Sequence, residues 1–395
     1  MNNVISEEKK PIKLWLDDIE EGALDQARNL ANLPFIFKHI AIMPDSHQGY
    51  GMPIGGVMAT EGVIVPNAVG VDIGCGMCAV KTSLTELDSQ TIKKIFGGSK
   101  EFKGGIRSKI PVGFSHHSKK QDDKWMPFFD STNSQSIVEK EYESALKQIG
   151  TLGGGNHFIE IQKGSDGYVW IMLHSGSRNI GFKVAKHYND LATKINEKWF
   201  SSVPKKWGLA FFPLDSKEGQ YYKEEMEYCI DFALLSRKLM MERIKESFLD
   251  ILPDTTFNDM INIAHNYAVM ENHFGKNVMI HRKGATKAYP DQLGIIPGSQ
   301  GSKSYIVTGL GNEDSFKSCS HGAGRKMSRT KAQNELDLEI EKKKLDDQGI
   351  IHSIKNKKDL DEAAGAYKNI SIVMDNQKDL VRVEVELTPL AVIKG

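Results

Sequence analysis

The sequence has few cysteines, no net charge, no long apolar run and no phosphate-loop signature. Only four cysteines occur in 395 residues: Cys75, Cys78, Cys229 and Cys319. That is too few for a disulfide framework, and a chain of this length buries a sizeable core without one. Lysine plus arginine total 51 and aspartate plus glutamate total 51, so the formal charge is zero. That argues against a histone-like binder acting through bulk charge and leaves a local basic groove open. No apolar run approaches the roughly 20 residues of a membrane span. Residues 1–10 lack an apolar core of the secretory kind, which predicts a cytoplasmic chain with reduced thiols. No stretch reads G-x-x-x-x-G-K followed by Ser or Thr, so a P-loop is excluded. Cys75 and Cys78 form a C-x-x-C pair with no second pair, which argues against a structural zinc site. No helix opens at Cys75, which argues against a redox pair. Neither an internal repeat nor a low-complexity linker is present.

What is present centres on Pro66 to Cys78. Asp72 and Cys75 sit three residues apart on a turn punctuated by Gly74 and Gly76. The run 69–73 reads as a buried strand leading into that turn. Four histidines occupy similar places, each in a polar or glycine-rich turn beside an apolar segment. His157 follows Gly153-Gly-Gly-Asn, His174 ends 169–173, His265 follows Ile261-Asn-Ile-Ala, and His321 lies in Ser320-His-Gly-Ala-Gly-Arg325. By residue type, Asp72, Cys75, His157, His174 and His265 permit a metal cluster. Each of them alone suits an ordinary hydrogen-bonding role equally well. Three glycine-rich turns, at 153–157, 297–304 and 321–324, can aim backbone N–H groups at an anion.

Apolar spacing predicts helices at 20–33, 138–149, 181–199 and 216–249, and a charged, solvated helix at 326–346. Cys229 falls inside the long helix as a core residue. Strands are predicted at 34–43, 54–59, 62–65, 158–162, 168–173, 277–282, 304–309 and 380–393, with 44–51 as a polar turn. Residues 100–135, with His116-His117 and Lys119-Lys120, read as a polar loop. The candidate ligands are spread over nearly the whole chain. This predicts one α+β domain over 1–395, with mixed sheets flanked by helices and the site at a loop edge.

Asp72-Ile-Gly-Cys75-Gly, Gly154-Gly-Asn-His-Phe-Ile-Glu160, Leu173-His-Ser-Gly-Ser-Arg178, His265-Asn-Tyr, Pro297-Gly-Ser, Ser320-His-Gly-Ala-Gly-Arg325 and Val392-Ile-Lys-Gly395 follow one another along the chain. Together they resemble the motif set of the RtcB family of RNA ligases, in the family's order from residue 43 onward. Pro44-Asp-Ser-His-Gln-Gly-Tyr-Gly51 is similar too.

The resemblance implies a monomeric enzyme that joins an RNA 3′-phosphate or 2′,3′-cyclic phosphate to a 5′-hydroxyl. It implies GTP and two manganese ions as the cofactors. One metal would fall to Asp72, Cys75 and His157, and the other to Cys75, His174 and His265. Ligand type alone also permits zinc or iron. His321 corresponds to the family nucleophile that accepts GMP. The implied cofactor-binding set is Asn156, His157, Glu160, His265, Asn266, Pro297, Gly298, Ser299, Gln300, Ser304, His321, Gly322, Ala323, Gly324 and Lys394. Arg178 and Arg325 would meet phosphate or RNA, and Asp45 or His47 would serve as a base near the 5′-hydroxyl.

Two departures stand out: Gln300 replaces a methionine common in relatives, and 100–135 matches no family motif. A two-metal RNA-end phosphatase or cyclic phosphodiesterase would share the metal ligands, but it has no use for His321 or Lys394. The residues single out neither the RNA joined nor an activating protein partner.

Overall fold

A computed structural model describes residues 1–98 and 101–395. Along the strand Ile36–Tyr50, Ile40 and Ile42 face one way and Ala41 and Met43 the other, as a period of two requires. This strand belongs to a six-stranded sheet. Its order is Asn3–Ile5, Ile12–Leu14, Ile36–Tyr50, Met52–Thr60, Lys276–Lys283 and Asn266–His273. Helix Glu21–Ala31 covers one face with Ala27, Leu30 and Ala31. The other face packs on Val307, Phe316 and Cys319.

A second sheet has seven antiparallel strands. Their order is Ile261–Ala264, Gly76–Lys81, Val169–Ser175, Phe158–Gly164, Val381–Lys394, Ser304–Gly309 and Leu293–Ile296. Its first and last strands approach each other, so the sheet curls. Met77, Ala79, Met172, Ile295, Ile306 and Val392 pack together on one face. On the other, Val80, Ile159, Ile171 and Leu173 meet Met240, Ile244 and Phe248 of helix Lys217–Leu249. Full burial of each such side chain contributes about 1.5–3 kcal/mol. Ser216 caps the start of this helix by accepting from the Gly219 N–H. Helices Ile137–Ala145 and Arg178–Lys198 pack beside it in a third cluster that includes Cys229. The architecture is α+β, as expected.

Three elements differ from expectation. Residues 69–73 are a turn, not a strand, and the strand begins only at Gly76. Gly70 and Gly74 take φ of 93° and 72°, which breaks the extended run. Residues 44–50 are a continuation of Ile36–Tyr50 and not a separate turn, with register shifts that bulge the strand around Asp45. The charged segment 326–346 is two helices, Arg329–Glu335 and Leu338–Asp346. Leu336 is extended between them, and Asp337 caps the second by accepting from the Ile340 N–H. The described part of 100–135 is mostly loop, as expected, with short helical turns at Ile106–Lys109 and Asp123–Trp125; residue 100 lies outside the described residues.

Candidate metal and nucleotide site

Four adjacent strands of the curled sheet bring their ligands to one edge. Cys75 immediately precedes Gly76–Lys81 and His157 immediately precedes Phe158–Gly164. Because the neighbours run antiparallel, His174 near the end of Val169–Ser175 and His265 just past Ile261–Ala264 arrive at the same edge. The His265 N–H donates to the Cys75 carbonyl at 2.8 Å, locking the two turns together. Arg237, fully buried on the long helix, donates to the Gly74 and Ser175 carbonyls at 2.9 and 2.8 Å and so braces the same edge.

The side chains form a continuous line. Asp72 Oδ2 is 3.1 Å from His157 Nε2, which is 3.4 Å from Cys75 Sγ. Cys75 Sγ is 3.2 Å from His174 Nε2, which is 3.3 Å from His265 Nε2. The His265 ring lies 4.8 Å from that of His321, centroid to centroid. Thus Cys75 is shared by an Asp72–His157 side and a His174–His265 side. His157 Nδ1 faces the Leu152 carbonyl at 3.0 Å and His174 Nδ1 the Asn156 carbonyl at 3.1 Å. Donation there frees each Nε2 to serve as a ligand, a cation beside Cys75 taking the place of the hydrogen bond that His157 Nε2 otherwise makes to Asp72.

Electrostatics point the same way. Burial holds His174 and His265 well below the usual imidazole range, with neighbouring imidazoles adding to the effect. Neutral rings are what a metal requires. Burial and the Asp72 charge push the Cys75 thiol far up, so a cation is needed to make it a thiolate. Burial would raise Asp72, but its hydrogen bond to His157 and the attraction of that ring lower it to about 2. Bonds of about 2.3 Å to sulfur and about 2.0–2.1 Å to nitrogen in tetrahedral array separate the two donors by about 3.5 Å. The separations of 3.2 and 3.4 Å around Cys75 lie within a few tenths of an ångström of that spacing.

A cleft of about 520 Å³ opens beside this cluster. Its wall combines Asn156, Glu160, Pro297 to Gln300, His321 to Gly324 and Lys394, all expected from the sequence. Val392 and Lys394 reach it because they pair with Glu160 and Phe158 in the sheet. Ser304 is buried behind the 297–300 loop, where its hydroxyl meets Gly298 N at 3.1 Å and Gln162 Nε2 at 3.1 Å. Asn266 does not line the cleft: it bonds the Asp72 carbonyl and Gly284 N. Gln300 turns its amide to the Glu362 carbonyl at 2.8 Å. Burial pushes Glu160 up to about 8, opposed by Gln162 and Lys394.

His321 enters from the short strand Ser318–Ser320, with its Nδ1 held by Asp45. A side chain at Gly324 would strike the Asp45 carbonyl at 2.1 Å, so only glycine allows this loop to lie against the bulge. His47 Nδ1 meets the Asp45 carbonyl at 3.0 Å, and His47 lines the cleft. Arg325 is tied to Glu362, Asp361 and Met327, and Arg178 to Thr151.

Arg329, Tyr367 and Glu362, which no sequence motif singles out, also line the cleft. Glu362 is a buried hub: Arg325 Nη1 lies at 3.2 Å, Arg329 Nε at 3.0 Å and Lys394 Nζ at 3.8 Å, and Tyr367 donates its hydroxyl.

A family model described as tRNA-splicing ligase RtcB matches residues 26–395. The chain is 40% identical to RNA-splicing ligase RtcB of Escherichia coli K12, over 99% of each chain. It is 39% identical to RNA-splicing ligase RtcB1 of another Escherichia coli strain, again over 99% of each. Against tRNA-splicing ligase RtcB of Thermococcus kodakarensis it is 31% identical, over 95% of this chain and 92% of that one. By class, then, the chain is an enzyme, an RNA ligase. It belongs to the RtcB family.

Proposed function

We propose that the chain joins RNA ends carrying a 3′-phosphate or 2′,3′-cyclic phosphate to 5′-hydroxyl ends, with GTP and manganese, in tRNA splicing or RNA repair. The observation that carries this reading is the unbroken line from Asp72 through Cys75 to His321 and Asp45, running into a nucleotide-sized cleft. Asp72, Cys75 and His157 would hold one metal, and Cys75, His174 and His265 the other. Bound divalent cations supply positive charge to phosphate oxygens. Asn156, Glu160, Pro297 to Gln300, Ser304, Gly322 to Gly324 and Lys394 hold guanylate.

His321 Nε2 attacks the GTP α-phosphorus. An N–P bond forms, the bond to the bridging oxygen breaks, and pyrophosphate leaves. The Asp45 carboxylate keeps the Nδ1 proton in place and offsets the charge the ring acquires. An oxygen of the RNA 3′-phosphate then attacks the same phosphorus, and the N–P bond breaks. The RNA end now carries GMP as a leaving group. Attack by the 5′-hydroxyl expels GMP and closes the strand, its proton passing to a base. A cyclic end is first opened by water.

Four free cysteines suit a reducing cytoplasm. Among the described residues, no helix is long and apolar enough to cross a membrane.

One variant and two substrates test the mechanism. His321→Ala should form no GMP adduct from labelled GTP and should not join 3′-phosphate RNA. It should still seal RNA already bearing a 3′-guanylyl cap. A phosphatase or cyclic phosphodiesterase would show the reverse: unchanged phosphate release or ring opening, and no use of the capped RNA. Wild-type joining by the variant on uncapped RNA would sink the covalent mechanism.

A further inference from the structure

We propose that Phe114 is a stacking platform for a base of the RNA strand whose 3′ end enters the cluster. This rests on the RNA-ligase reading above and adds to it where the substrate runs. Phe114 is fully exposed, at 102%. Its backbone is nevertheless tied down. Val112 bridges Gly153, Gly113 N donates to the Gly153 carbonyl at 2.7 Å, and His117 N donates to the Lys147 carbonyl at 2.9 Å. The ring of His117 is held by Arg243 at 2.9 Å. An aromatic side chain is therefore presented to solvent from a fixed loop.

That loop adjoins the cluster through the Gly153 turn, four residues before His157. Arg178 lies between them, with Nη1 at 3.5 Å from His157 Nδ1. Lys119 and Lys147 are exposed on this surface and have no ion-pair partner among the described residues. A tied aromatic ring with unpaired cations around it suits single-stranded nucleic acid: bases stack on the ring while cations follow the backbone. Continuity with the cluster makes the RNA substrate the occupant.

The test measures binding of fluorescently labelled single-stranded 3′-phosphate RNA to the full chain at fixed salt. Phe114→Ala should weaken binding about tenfold, and Phe114→Trp should retain it. Removing an uncharged ring should leave the salt dependence of binding unchanged. RNA with an abasic nucleotide at the stacked position should bind wild type as weakly as intact RNA binds Phe114→Ala, and should lose nothing further in that variant. Phe200, also fully exposed, lies at the far end of helix Arg178–Lys198, about 30 Å along the axis. Phe200→Ala should bind RNA as wild type does. All three variants should form the GMP adduct from GTP at the wild-type rate.

If wild type binds and joins RNA and Phe114→Ala matches it, or if Phe200→Ala loses as much, stacking at Phe114 is wrong and the ligase reading stands. If wild type neither binds RNA nor forms the adduct, both readings fall.

Discussion

Asp45 Oδ2 lies 2.6 Å from His321 Nδ1 and 3.0 Å from the backbone N of the same residue. One fully buried carboxylate thus fixes both the ring and the chain that carries it. Burial would raise its pKa, but the attraction of His321 and their hydrogen bond keep it below the usual carboxylate range. The resemblance offers Asp45 or His47 as a base near the 5′-hydroxyl end; in the structure Asp45 is bound to His321, and His47 lines the cleft beside it.

Asp45→Asn keeps the shape and removes the charge. Formation of the His321–GMP adduct should fall at least about a hundredfold, as when an orienting carboxylate is lost from a histidine. Adduct formation at the wild-type rate, measured with labelled GTP, would show that the carboxylate is only structural.

Cys75 and Cys78 are both buried, yet only Cys75 reaches the histidines. Cys75→Ala should abolish joining and remove bound metal, measured by elemental analysis. Cys78 lies in the core against the long helix. Cys78→Ala should keep both properties and lose about 1 kcal/mol in a urea titration. Equal metal loss in both variants would overturn the assignment.

Glu160 provides a pH signature. Its carboxyl is raised from 4.5 to about 8 in the fold, chiefly by burial, so the folded chain holds a proton that the unfolded chain releases. This contribution is full below about pH 4.5 and is lost as pH rises toward 8, by roughly 1.4 kcal/mol per unit at most. Glu160→Gln removes the titration. Unfolding curves across that window should therefore show a shallower fall with pH for the variant than for wild type. Parallel pH profiles would contradict the assignment.

Glu362→Ala leaves Arg325 and Lys394 without their shared carboxylate. Removing one partner of a buried ion pair typically costs about 3 kcal/mol. GTP adduct formation should show a raised KM, because the wall holding Lys394 loosens. Unchanged stability and unchanged KM would mean that the hub carries no energy.

The cluster of Asp72, Cys75, His157, His174 and His265 is legible because its thiol and imidazoles stand at strand ends in distinctive turns, with Asp72 in the turn before one of them. Antiparallel pairing then collects those ends. Less legible was any position set by distant backbone. Residues 69–73 carry a strand's apolar pattern, but Gly70 and Gly74 turn left-handed there. Residues 44–50 carry a turn's composition, but the strand bulges without ending. Glu362 had no signal of its own. It is one of three acids in the helical turn Lys357–Glu362, and only tertiary packing buries it beneath Arg325, Arg329 and Lys394. Arg329 was absorbed into a run that reads as solvated helix, and the break at Leu336 is what reshapes that run.

Val381–Lys394 is fifth in the order of the seven-stranded sheet, flanked by Phe158–Gly164 and Ser304–Gly309. Translation makes every thiol and imidazole of the cluster before it makes this strand. Until it inserts, Phe158–Gly164 has an open side, Lys394 is absent from the cleft, and the Gly395 N–H that donates to the His157 carbonyl at 3.1 Å is missing. Pairings this far apart in sequence form late in folding. A growing chain on the ribosome therefore carries Cys75 and its histidines before Lys394 completes the wall of the cleft.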